Sequence, residues 1–91
     1  MNNSIWVGSP NIEVSIAGAN IIPKRPSGWS FDYNLKNFTF INYQDCHVLI
    51  NGSKDPIFIR QEQGIDYSGT HGINSFIIVE SGIEYTYIGA C

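Results

Sequence analysis

Apolar and polar side chains alternate with a period of two along most of the chain, the spacing of strands buried on one face. Residues 4–7 make a short apolar start. In 11–17, Ile12, Val14 and Ile16 face one way and Glu13 and Ser15 the other. "GAN" at 18–20 then turns the chain. In 29–33, Trp29, Phe31 and Tyr33 alternate with Ser30 and Asp32. In 36–42, Phe38 and Phe40 share a face opposite Asn37 and Thr39, and in 45–50 Cys46, Val48 and Ile50 share a face. "NGSKDP" is a turn by composition, and Pro56 opens a strand over 57–61. "EQGIDYSGTHG", rich in glycine, reads as a loop. Residues 73–80, "INSFIIVE", are apolar at their centre and predict a central strand buried on both faces. "SG" makes a tight turn into a last strand, 83–88.

One helical alternative exists between Gly28 and Gly52, where Phe31, Leu35, Phe38 and Ile41 have near-helical spacing. Strict alternation over the same residues outweighs it. Residue usage agrees. Fifteen Ile stand against two Leu and three Ala, with five Tyr, five Phe and two Trp, so strand formers dominate and helix formers are scarce. Seven or eight short strands in one domain, 1–91, predict an all-β fold: a small antiparallel β-sandwich or a jelly-roll-like barrel. Two stretches echo one another, "NIEVSIAGAN" at 11–20 and "GIEYTYIGAC" at 82–91. They are read as the second and last strands. Either the pattern is convergent, or the two occupy equivalent places in two sheets. Both readings make the final stretch structural.

Ninety-one residues bury a thin core, and chains of this size often gain stability by oligomerising. Only 14% of residues are charged, against about 25% in ordinary soluble domains. Such a surface suits a protein partly covered by neighbours. The net charge of −3, with Lys24-Arg25 the one adjacent basic pair, argues against nucleic acid. No run reaches the roughly 18 apolar residues of a membrane span. "MNNSIWVGSP" has no basic region ahead of an apolar core, so no signal peptide is expected and the chain is read as made and used in a cytosol. Cys46 and Cys91 are then expected as free thiols, Cys46 within the core.

The chemistry-bearing residues do not assemble into a motif. His47 and His71, with Asp45 and Asp66, lack metal-ligand spacing and read as a strand and a loop histidine. Cys46 and His47 are strand neighbours, so their side chains point to opposite faces and cannot form a nucleophile–base pair. Glu80 and Glu84 flank the "SG" turn, where a hairpin would bring them together as in a glycosidase pair. Acids beside a turn are ordinarily solvated, and a domain this small has little room for a sugar cleft. Asp66-Tyr67-Ser68-Gly69 does not match a calcium loop, and glycines 64, 69 and 72 do not make a phosphate cradle. No catalytic residue, cofactor or metal is therefore assigned.

"IIPKRPSGWSF", 21–31, is the most distinctive loop. Pro23 and Pro26 bracket Lys24-Arg25 and favour an extended segment outside any sheet. It is either a stiff connection or an arm laid on a neighbouring subunit. In the second case Lys24, Arg25 and Trp29 are the partner-binding residues, because Arg and Trp dominate interface energetics and a basic pair steers towards acidic partners. Trp6, Trp29, Tyr85 and Tyr87 offer another possibility, stacking on sugar rings, although any β core uses aromatics.

Residues 50–91, "INGSKDPIFIRQEQGIDYSGTHGINSFIIVESGIEYTYIGAC", resemble short structural proteins of tailed bacteriophages. The resemblance is carried by Asn51-Gly52, by Ser75–Gly82 and by Tyr85–Ala90. It implies a virion component, a capsid-decoration or fibre-type β domain that packs in oligomers. The expected function is thus a non-enzymatic virion structural protein, made in the host cytoplasm. Its expected partners are itself and other virion proteins, not nucleic acid or membrane. The alternatives are a carbohydrate-binding β-sandwich for a cell-surface glycan and a small inhibitor or adaptor of a host protein.

Overall fold

The computed structural model describes residues 5–25, 27–30 and 33–91. Among these residues the chain is all-β, without a helix. Eight strands follow in order: β1 (Trp6–Gly8), β2 (Glu13–Val14), β3 (Leu35–Asn42), β4 (Cys46–Ile50), β5 (Ile57–Ile59), β6 (Ile65–Ile73), β7 (Phe76–Ile78) and β8 (Glu84–Ala90). Every pairing is antiparallel. In the larger sheet β1 and β2 lie along one edge of β8, followed by β3 and then β6. The smaller sheet has the order β5-β4-β7.

The two sheets close on an aromatic cluster. Phe76 of β7 sits between Phe38 and Phe40 of β3, with ring centroids 5.0 and 4.6 Å away. Tyr85 and Tyr87 of β8 extend the cluster, each about 6 Å from one of these rings: 5.8 Å from Phe40 and 6.0 Å from Phe38 respectively. Leu35, Val48, Ile59 and Ile78 fill the remaining space and are fully buried. Each such side chain contributes about 1.5–3 kcal/mol by leaving water, so this seam holds the sandwich together.

A buried amide fixes the far end of the seam. Asn42, at the end of β3, is fully buried. Its Nδ2 donates to the carbonyls of Gln44 and Arg60 at 2.8 Å, and its Oδ1 accepts the Gly64 amide at 3.0 Å. The connection from β5 to β6 is thereby tied to β3. That connection turns through Glu62 and Gly64, both with positive φ, and a Cβ on Gly64 would collide with the Phe40 carbonyl.

Strand positions at 36–42, 45–50, 57–61 and 83–88 match the alternation, with ends displaced by one or two residues. Five features differ. Most of "EQGIDYSGTHG" is not a loop but β6, because Ile65 and Tyr67 pack inward and the backbone pairs with β3 from Phe40↔Ile65 to Asn37↔Ser68. Beyond Ser68 the register shifts, so that His71 falls in a bulge opposite Lys36. The 73–80 strand is only β7. It pairs with β4 on one side and meets the single bridge Asn20↔Ile77 on the other, which leaves Ile77 half-buried. β7 and β8 belong to different sheets, so "SG" links the layers and closes no hairpin. Over 29–33, Trp29, Ser30 and Tyr33 lie outside any strand, while Phe31 and Asp32 are outside the described residues, as is Pro26. Finally, the echoing stretches do not occupy two sheets. They pair directly, Glu13↔Tyr85 and Val14↔Glu84.

Candidate interaction surfaces

Of the predicted strand over 11–17 only β2, Glu13–Val14, pairs as a strand; burial still alternates along the stretch, but its apolar row points away from the core. Ser15 is buried, whereas Ile12, Val14 and Ile16 are 56, 58 and 72% exposed. The cause is local bonding. The Ser15 hydroxyl donates to the Glu80 carbonyl at 2.7 Å and accepts the Ile83 amide at 3.0 Å. The Ser15 backbone donates to the Ile83 carbonyl and accepts from Gly82, at 2.8 and 2.9 Å. These four bonds satisfy the buried polar groups where the chain crosses between sheets. Because strand side chains alternate, turning Ser15 inward turns all three aliphatic residues outward.

The outer face of the larger sheet is consequently divided. Directly paired residues of antiparallel strands share a face. Trp6 (opposite Ala90), Val14 (opposite Glu84) and Ile88 therefore lie on one face along β8, with Thr86 between Glu84 and Ile88. Trp6 is 63% and Ile88 52% exposed. Gly8 faces Ile88, and a Cβ there would approach the Tyr87 carbonyl to 2.9 Å, so β1 can lie this close only with glycine. The β3–β6 half of the same face is polar: Thr39 donates to Asp66 at 3.0 Å and Ser68 to Asn37 at 3.2 Å.

The outer face of the smaller sheet is also apolar, around the hydrogen-bonded His47 and Glu80. Register places Phe58 beside His47 and Leu49 beside Ile77, and Val79 follows β7. Phe58 and Val79 are exposed, and the Phe58 and His47 rings lie 5.4 Å apart. His47 Nδ1 donates to Glu80 Oε2 at 2.6 Å, and the His47 amide donates to Oε1 at 2.9 Å. Val79 donates its amide to the His47 carbonyl at 2.9 Å. The Glu80 carboxylate thus takes the His47 amide where the strand ladder ends. Burial disfavours the charged carboxylate, but the hydrogen bonds from His47 outweigh it and hold Glu80 below the usual carboxylate range. On the core side of β4, burial, then the charges of Glu80 and Asp45, push the Cys46 thiol up to about 11. It is a neutral packing group. Cys46 and Cys91 are both free, Cys91 being exposed.

The residues predicted to bind a partner occupy two settings. Lys24 and Arg25 are exposed at the end of the 21–25 segment. That segment is anchored behind them, by buried Ile22 and by the Ile21 amide on the Phe76 carbonyl at 2.9 Å. Lys24 also lines a cavity of about 510 Å³ with Asn20, Tyr33 and Asn74. Trp29 is half-buried and packs on Tyr33 at 5.2 Å, so part of its area already serves the core. The four candidate sugar-stacking aromatics do not form a platform. Trp6 lies on the outer face of the larger sheet, whereas Tyr85 and Tyr87 point into the core and Trp29 leans on Tyr33. Alternation alone did not reveal the outward patch, because exposed and buried aliphatic rows read identically in sequence.

Among the described residues, no three His, Cys, Asp or Glu side chains come together as metal ligands. Glu80 is engaged by His47, and Glu84 accepts from Gln44 Nε2 at 3.1 Å. No protein-family model matches the chain, and neither a curated protein nor a solved structure shows significant similarity to it.

Proposed function

We propose that this chain is a non-enzymatic structural protein of a bacteriophage virion, an oligomeric β-sandwich that decorates a capsid or forms part of a tail or fibre. The observation that carries the reading is the outward apolar row of Ile12, Val14 and Ile16, continued by Trp6 and Ile88. A small domain that leaves this much apolar surface in water gains by covering it with another protein. Low charge and the resemblance of residues 50–91 to phage structural proteins support the same reading.

The test is electron microscopy of particles from cells that make the chain, with the chain gold-labelled. Label at regular positions on a particle is the expected result. Label confined to free protein overturns the virion reading. A glycan array run beside it should be blank; a saturable glycan signal abolished by Trp6→Ala would favour the carbohydrate-binding alternative.

A further inference from the structure

We infer that the larger sheet's apolar half is the self-contact of this protein: two copies pair across it about a two-fold axis, centred on Trp6 and Ile88. This deepens the oligomeric reading above and rests on it.

Area comes first. Trp6, Ile12, Val14, Ile16 and Ile88 are each more than half exposed. Together they present an apolar row of several hundred Å², on the scale of the largest patch a monomer tolerates (about 300–600 Å²) and a large part of the roughly 800 Å² per partner in a standard interface.

Charge selects the occupant. A two-fold contact sets a patch against itself, so any charge near its centre meets its own copy. The chain carries −3 overall, which makes a charge-free patch the favourable place for self-pairing. Trp6, Ile88 and the neighbouring Thr86 carry no charge, and the carboxylate that register puts on this face, Glu84 opposite Val14, lies six residues along β8 from the position opposite Trp6. The smaller sheet's face is less suitable, because the ionised Glu80 and its partner His47 sit among its apolar side chains. A self-contact there would bury the pair or bring two carboxylates together.

Backbone geometry decides how the copies meet. β1 and β2 are short and are separated by Ser9–Ile12, including Pro10. A broken edge with proline is a poor template for strand addition. The contact is therefore between side chains, face to face.

Sedimentation equilibrium of the full chain over a wide concentration range tests this. Wild type should approach twice the 10.2 kDa chain mass. Val14→Lys with Ile88→Lys, both at outward positions, should weaken self-association about a hundredfold, since interface centres carry most of the energy. Far-ultraviolet circular dichroism and a cooperative unfolding transition establish that the variant is folded. A milder Ile88→Thr should weaken association less, and it substitutes if the double variant does not fold. Phe58→Lys, on the opposite face, should leave the dimer intact. A dimer that persists in the folded Lys variant but is lost in Phe58→Lys overturns this interface and keeps the oligomeric reading. A wild type that stays monomeric at every concentration overturns both.

Discussion

The Ser15 hydroxyl donates to the carbonyl of Glu80 at 2.7 Å, across 65 positions of sequence. This one bond joins the edge of the larger sheet to the crossing between the two layers. It also sets the orientation of the exposed row beside it.

Ser15→Ala should destabilise the protein by about 1–3 kcal/mol, because the Ile83 amide loses a buried acceptor. Urea unfolding would show a lower midpoint with an unchanged slope. A shift within error of zero would mean that the backbone pairing with Ile83 and Gly82 holds the crossing alone.

Phe76 touches both core phenylalanines of β3 from the opposite sheet. Phe76→Ala should cost about 3–5 kcal/mol, a large part of the roughly 5–10 kcal/mol that a domain of this size possesses. Thermal unfolding should move down by many degrees. Phe58→Ala, at an outward position, should move it little, and equal effects at the two sites would contradict the assignment of inner and outer faces.

Removal of residues 83–91 should abolish cooperative unfolding. β8 is paired on both sides, with β3 along its length and with β1 and β2 on the other edge, and it carries Tyr85 and Tyr87 into the core. Calorimetry of the truncated chain checks this. A sharp transition near the wild-type temperature would show β8 to be dispensable.

The Glu80 carboxyl titrates lower in the folded protein than its ordinary value of 4.5. A depressed carboxylate adds stability that is present above the unfolded value and lost as pH falls through the folded one. More than a third of the side chain is exposed, so screening keeps the contribution under about 1 kcal/mol. The stability gap between wild type and Glu80→Gln should therefore be widest above the ordinary value of 4.5 and close as pH falls below it. Denaturant midpoints measured across that range decide it. A gap that is constant with pH would remove the charge from the explanation.

One thiol per native chain, Cys91, should react quickly with an aromatic disulfide reagent. Cys46 is buried and its thiol is pushed up to about 11, so it should react only on unfolding. Two fast thiols in the native protein would place Cys46 at the surface.

Much of the architecture was legible in the residues themselves. Isoleucine, aromatic side chains and a period of two determine strands wherever they occur, since β-branched and ring side chains fit a pleated surface. Cys46 opposite His47, and Tyr85 with Tyr87 on one face, follow directly from alternation. The Asn51-Gly52 turn follows as well: both residues take positive φ, and Ser53 closes the turn on the Ile50 carbonyl at 3.1 Å. Only the tertiary structure decided the rest. It made a strand of the glycine-rich 65–73 segment, because β3 offers an edge to pair with. It separated β7 from β8 into different layers, and it turned Ile12, Val14 and Ile16 to the solvent. Alternation divides a strand into two faces without saying which is inner. For 11–17 the choice rests with Glu80, Gly82 and Ile83 at the far end of the chain, where the Glu80 and Ile83 carbonyls accept from Ser15 and the Gly82 and Ile83 amides donate to it.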